Sequence, residues 1–340
     1  MNENATTTDK PQQKNESKTK KKAKRKYELS SNSEIGFNIH ELEQIITYLL
    51  NKVCALTKTN VLLLHYFSYS QISEKNIIFL YKKLKTLPFD KNENLSIILT
   101  SNGGDINAAY QCANFVQEYI PGKIDLFIPF RAMSASTFFS LASDRVIFNN
   151  FSKIGPLDPQ IISTNSLIYG DDNPNSQQLP LKAISTMPDY FFNKIISLNC
   201  DNEIRKIIAN SIINKFIERV NPFFLSQYNN IEELVIQYAK KLLFQKGFNE
   251  DQINKCVKQL ISYPVHSYCI DYEEISNSKT LNSIINAVLI DSIENGPEIN
   301  ELLMNLLEML FVFEMKTSIQ RNQAMVNPYI EAVSYYENQK

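Results

Sequence analysis

The 340 residues amount to about two average domains; 44% are apolar, and 35 Lys plus Arg stand against 36 Asp plus Glu. That balance excludes a wholly disordered or collagen-like chain and leaves ample material for a packed core. The richest apolar stretch, Leu302 to Met315, is broken by Asn305, Glu308 and Glu314, so no transmembrane span is expected.

The amino-terminal stretch has no apolar leader, and the five cysteines (Cys54, Cys112, Cys200, Cys256, Cys269) are scattered, which reads as a reduced, cytoplasmic protein. Residues 1–30 hold nine Lys and Arg against four acids, leaving 26 basic and 32 acidic residues for the rest. Residues 1–34 therefore read as a solvated basic tail. Its run from Lys18 to Lys26 is able to make weak contact with an anionic surface, peripheral to a membrane for example, and carries no specific nucleic-acid code.

From Ile35 the apolar residues recur at helical spacing through Leu50. Val61 to Tyr66 is a short apolar run, read as the first strand. A helix over Ile77 to Leu87 ends before Pro88. Strands follow at Leu95 to Ser101, Ile124 to Phe130 and Arg145 to Asn149. Between the first two of these, residues 106–120 place Ile106, Ala109, Ala113, Val116 and Ile120 on one helical face. Strand, helix and strand in that order make a right-handed crossover. Residues 224–262 read as helical. Leu281 to Ile293 and Ile299 to Phe313 read as two helices parted by Asn295-Gly296-Pro297.

Only eight glycines occur, yet Gly103 and Gly104 stand together where a strand gives way to a helix. Adjacent glycines there let main-chain N–H groups face an anion or oxyanion; Asp105 reads as the helix cap. One crossover later, Ser134 sits where the next strand becomes a helix, at the carboxyl edge where open α/β sheets bind ligands. Singly, each is an ordinary turn or cap. Together they provide a nucleophile beside two donors, the Gly103/Gly104 turn and the Ala135 amide, the minimum set for acyl transfer.

The strings Leu99-Thr100-Ser101-Asn102-Gly103-Gly104, Ala132-Met133-Ser134, Leu141-Ala142-Ser143-Asp144 and Gly155-Pro156-Leu157-Asp158-Pro159-Gln160 resemble the serine dehydrogenase proteinase family, of the Clp-protease/crotonase fold that includes signal peptide peptidase SppA. The similarity spans roughly residues 55 to 275. It implies an α/β fold of stacked βαβ units with flanking helices, over residues 35–277; beyond it the resemblance stops, and the two helical stretches named above make 278–340 a helical C-terminal extension. It also implies a serine endopeptidase acting on peptide or protein substrates and assembled as a homo-oligomer. Ser134 then falls on the nucleophile, and Gly103, Gly104 and Ala135 on the oxyanion donors. Two candidates stand for the base. Lys215 matches a family lysine but needs burial or a neighbouring cation to act, whereas His266 needs little adjustment. Asp158 orients a base, meets a neighbouring subunit, or shapes a turn between prolines.

Ala135 and Ser136 stand where the family commonly has glycines, and Tyr66 and Phe67 replace a charged pair after His65. These departures keep open a catalytically inactive scaffold or partner-binding module, and the shared fold keeps open thioester chemistry of the crotonase kind. Three histidines without a C-x-x-C pair give no zinc pattern, and no phosphate-binding loop or G-x-S-x-G elbow occurs, so no metal or cofactor is expected.

Overall fold

The computed structural model describes residues 36–68, 70–87, 93–158, 160–162, 178–219, 222–320 and 328–335. The basic tail, with its Lys18 to Lys26 run, lies outside the described residues.

In chain order the elements of the first half are α1 (Ile39–Thr57), β1 (Asn60–His65), α2 (Glu74–Leu84), β2 (Leu95–Thr100), α3 (Ile106–Tyr119), β3 (Ile124–Ile128), β4 (Arg131–Ala132), α4 (Thr137–Ala142), β5 (Arg145–Phe148) and β6 (Lys153–Ile154). There follow β7 (Gln160–Ile162), β8 (Gln178–Pro180), α5 (Leu181–Ile196), α6 (Asn202–Arg219), α7 (Pro222–Gln245), α8 (Glu250–Ser262), α9 (Tyr272–Asn277), α10 (Lys279–Asn282), β9 (Ala287–Leu289), α11 (Gly296–Gln320) and β10 (Tyr329–Val333).

The main sheet runs β10-β1-β2-β3-β5-β9, parallel throughout except for β10, which pairs antiparallel with β1. This is the expected mixed α/β class. Its strands are apolar on both faces because helices cover both. Leu62, Leu64, Ile97, Leu99, Leu126 and Phe148 belong to one core with residues of α3, α4, α7 and α8. Alternate residues Val61, Leu63, Ile98, Phe127 and Ile147 belong to a second core with α1 and α11.

Caps fix where the helices begin. Asn38 Oδ1 accepts from Glu41 N at 2.9 Å while Glu41 Oε2 accepts from Asn38 N at 3.0 Å, closing a reciprocal box at α1. Asp105 caps α3 as expected, its Oδ1 accepting from Ala108 N at 2.7 Å.

Beyond residue 278 the structure corrects the sequence reading. Leu281 to Ile293, expected as one helix, instead comprises the end of α10, strand β9 and a 3-10 turn over Ile290–Ser292. The following helix starts earlier and runs longer than expected, as α11. With β9 and β10, the C-terminal segment supplies both edge strands of the main sheet.

Past their carboxyl ends, the strands feed a second, smaller layer. Ile72 pairs with Gly104, Ser101 with Ala132, β4 with β6, and Ile154 with Ile270. This layer joins the segments that carry Gly103 and Gly104, Ser134, Asp158 and His266 at one edge. Among the described residues, no helix is long and apolar enough to cross a membrane.

His65 ends β1 inside the second core at 1% exposure. Its ring lies edge-on to Phe67 at 4.9 Å and to Phe311 at 6.1 Å, and among the described residues neither ring nitrogen has a partner. Burial pushes its pKa down to about 3. The folded protein thus keeps His65 neutral while the unfolded chain takes up a proton below about pH 6.5. Stability from this residue is complete above that pH and is lost as pH falls toward the folded value. At pH 5 the loss is about 2 kcal/mol. Chemical denaturation of wild type and His65→Phe at pH 7.5 and pH 5 should show that much less pH dependence in the variant.

Candidate active site

Ser134 opens the turn between β4 and α4, half-buried, with φ +55°. A non-glycine residue enters that left-handed region at a cost of about 1 kcal/mol or more. Side chains hold the strained turn. Ser136 Oγ donates to Met133 O at 2.6 Å, and Thr137 Oγ1 donates to Gly155 O at 2.8 Å. Where the family commonly has flexible glycines, this chain ties the turn down with hydroxyls. Neither Ser136 nor Thr137 stood among the candidate residues; the only sequence signal was a cluster of hydroxyls next to a serine.

The paired glycines lie against the same turn. A Cβ placed on Gly103 would stand 3.2 Å from Ser134 Oγ, 2.7 Å from Ser134 Cβ and 2.8 Å from Met133 O. Gly103 itself has φ +101°. The hydroxyl therefore opens onto the glycine bend, as the spacing of the two turns led one to expect. On the other flank, a Cβ on Gly155 would come 2.5 Å from Ser134 N. Gly103→Ala is expected to lower stability by about 1–3 kcal/mol and displace the Ser134 side chain, since both the left-handed backbone and the close approach are violated. Thermal denaturation measures the first effect and labelling by a serine-directed probe the second.

The three predicted donors do not stand alike. Gly103 N donates to Ser101 Oγ at 3.0 Å and is occupied there. Among the described residues no acceptor meets the N–H of Gly104 or of Ala135. Of these two amides Ala135 belongs to a buried residue and Gly104 to a half-buried one, so both are open to a further acceptor.

Asp158 and His266, 108 residues apart in sequence, meet directly. His266 Nδ1 lies 2.7 Å from Asp158 Oδ1 and 3.1 Å from Asp158 O. The carboxylate is almost sealed, at 3% exposure, and the imidazole keeps 20%. The placement is backed by main-chain bonds. Ile154 and Ile270 exchange both N–H···O bonds at 2.9 Å, and Leu157 N donates to Leu260 O at 3.0 Å, so the His266 turn is fastened to residues 154–158. Gly155 N in turn donates to Ala132 O at 3.1 Å, two residues before Ser134. With Nδ1 on the carboxylate, Nε2 is the nitrogen left for other work, and it makes no hydrogen bond within the described residues.

Lys215 is differently placed in one respect that matters for a base. It occupies an exposed position on α6 and hydrogen-bonds to none of the described residues. The burial that a lysine base requires is not met there.

Residues 10–169 match the family of ClpP-like SDH-type serine proteinases. That span contains Gly103, Gly104, Ser134, Ala135 and Asp158; His266 and Lys215 lie beyond it. A curated relative, the uncharacterized protein MJ0137 of Methanocaldococcus jannaschii, is 29% identical over 115 residues, which cover 30% of this chain and 40% of that protein. The chain thus spans well under half the length of this relative. Among solved structures, a mutant ClpP1 from Listeria monocytogenes aligns at 14% identity and TM-score 0.35, covering 75% of this chain and 99% of its own. A mutant of the membrane-bound stomatin-specific protease 1510-N aligns at 17% identity and TM-score 0.26, covering 41% of this chain and 64% of its own.

Proposed function

We propose that this chain, whose residues 10–169 match the ClpP-like SDH-type serine proteinases, hydrolyses peptide bonds through an acyl-enzyme on Ser134. The observation that carries the reading is the 2.7 Å contact between His266 Nδ1 and Asp158 Oδ1, on a segment fastened to the Ser134 turn. In this reading His266 Nε2 takes the proton as Ser134 Oγ attacks the scissile carbonyl. The same nitrogen then returns it to the departing amine, and water repeats the cycle to free the acid. Asp158 fixes the imidazole tautomer and stabilises the imidazolium. Gly104 and Ala135 donate their N–H groups to the oxyanion; losing one such donor typically costs about 100-fold to 1000-fold.

The inactive-scaffold alternative draws on Ala135 and Ser136 and on the two candidates for the base; the hydrogen bonds of Ser136 and Thr137, which hold the turn without glycine, weigh against its first ground. The substrate is inferred to be a peptide or protein segment. Assembly with further copies is part of the reading, supported by the exposed apolar side chains Phe192, Ile196, Ile207 and Ile217 along α5 and α6.

The test is hydrolysis of a fluorogenic peptide library by purified protein with and without a fluorophosphonate. Turnover that the reagent stops supports the reading. A protein with no turnover that also resists the reagent refutes it.

A further inference from the structure

At the opposite end of the sheet from Ser134 lies a cleft of about 560 Å³, where Ile124 begins β3 and Asp144 precedes β5. Its size suits a small molecule. The walls carry one cation and one carboxylate. Lys246 Nζ donates to Leu141 O at 3.2 Å and to Ser143 O, fastening the carboxyl end of α4. An ammonium has three donors, so one remains. Asp144 Oδ2 accepts from Ile124 N at 2.8 Å, which leaves its other oxygen open. Burial lowers the Lys246 pKa while the nearby Asp144 raises it; the two charges sense each other across the cleft, yet no ion pair joins them.

A bare anion would satisfy Lys246 and be opposed by Asp144. A bare cation would do the reverse. A guest bearing both charges satisfies both groups, its carboxylate on Lys246 and its ammonium on Asp144, with Ile124, Ile284 and Phe248 as apolar wall.

We propose that this cleft binds a small zwitterion of the amino-acid or dipeptide kind. The proposal is independent of the peptidase reading, since none of its residues belongs to the Ser134 site. It is tested by calorimetric titration of the Ser134→Ala protein with alanine, alanyl-alanine, N-acetyl-alanyl-alanine and alanyl-alanine amide. Alanine, alanyl-alanine or both should bind, which tells the preferred length, and each capped form should bind about tenfold more weakly or worse. Asp144→Asn, an exposed substitution that leaves the core alone, should weaken the zwitterion similarly. Absence of binding overturns the proposal, as does binding indifferent to the caps or to Asp144→Asn.

Discussion

Ser134→Ala is expected to lower peptide turnover by at least about 1000-fold, leaving only what the two amides and substrate positioning supply. Folding should be unaffected, because the Ser134 side chain makes no hydrogen bond that the turn depends on; Ser136 and Thr137 carry those. Ser134→Gly gives a sharper result. The residue sits at φ +55°, so glycine relieves the backbone and should raise stability by about 0.5–1 kcal/mol while being just as inactive. An activity loss joined to a stability gain is the signature of strain kept for function. Denaturant titration beside the peptide assay reads both.

The second large effect belongs to the imidazole and its carboxylate. His266→Ala removes the proton carrier and should cost about 1000-fold or more in turnover. Asp158→Asn keeps the shape but withdraws the negative charge that sets the tautomer, and should cost a comparable factor. The two substitutions act on one unit, so the double variant should be little worse than either alone. Lys215→Ala is the control that separates the two candidate bases. On its exposed helix position it should leave turnover within about twofold. A large loss there, with His266→Ala remaining active, would move the base to the lysine.

The parallel core of this fold was legible because β1, β2, β3 and β5 are apolar runs too short for helices, each followed by a turn or a helix of clear period. The edges were not. β9 has three residues, too few to show alternation, and it is flanked by Leu281, Ile284 and Ile285, which imitate a helix. β10 has five residues and pairs with a strand more than 260 positions away, which no local pattern reveals. The site divides in the same way. Ser134 and the glycines were readable as turns at strand ends, and their closeness followed from strand order. The partnership of Asp158 with His266 depends on how α8 returns to the 154–158 segment, a long-range pairing, so the two entered only as separate candidates. The occupation of the Gly103 amide by Ser101 Oγ is a two-residue contact whose direction depends on φ +101°, a value that sequence does not give.

In the proposed reaction everything turns on the Ser134 hydroxyl, facing the glycine bend, as the activated nucleophile. Peptide mapping by mass spectrometry after fluorophosphonate treatment addresses it directly. A single adduct is expected on the peptide that contains Ser134, absent from Ser134→Ala and formed far more slowly in His266→Ala. An adduct on another residue, or wild-type protein that stays unmodified while folded, would contradict it.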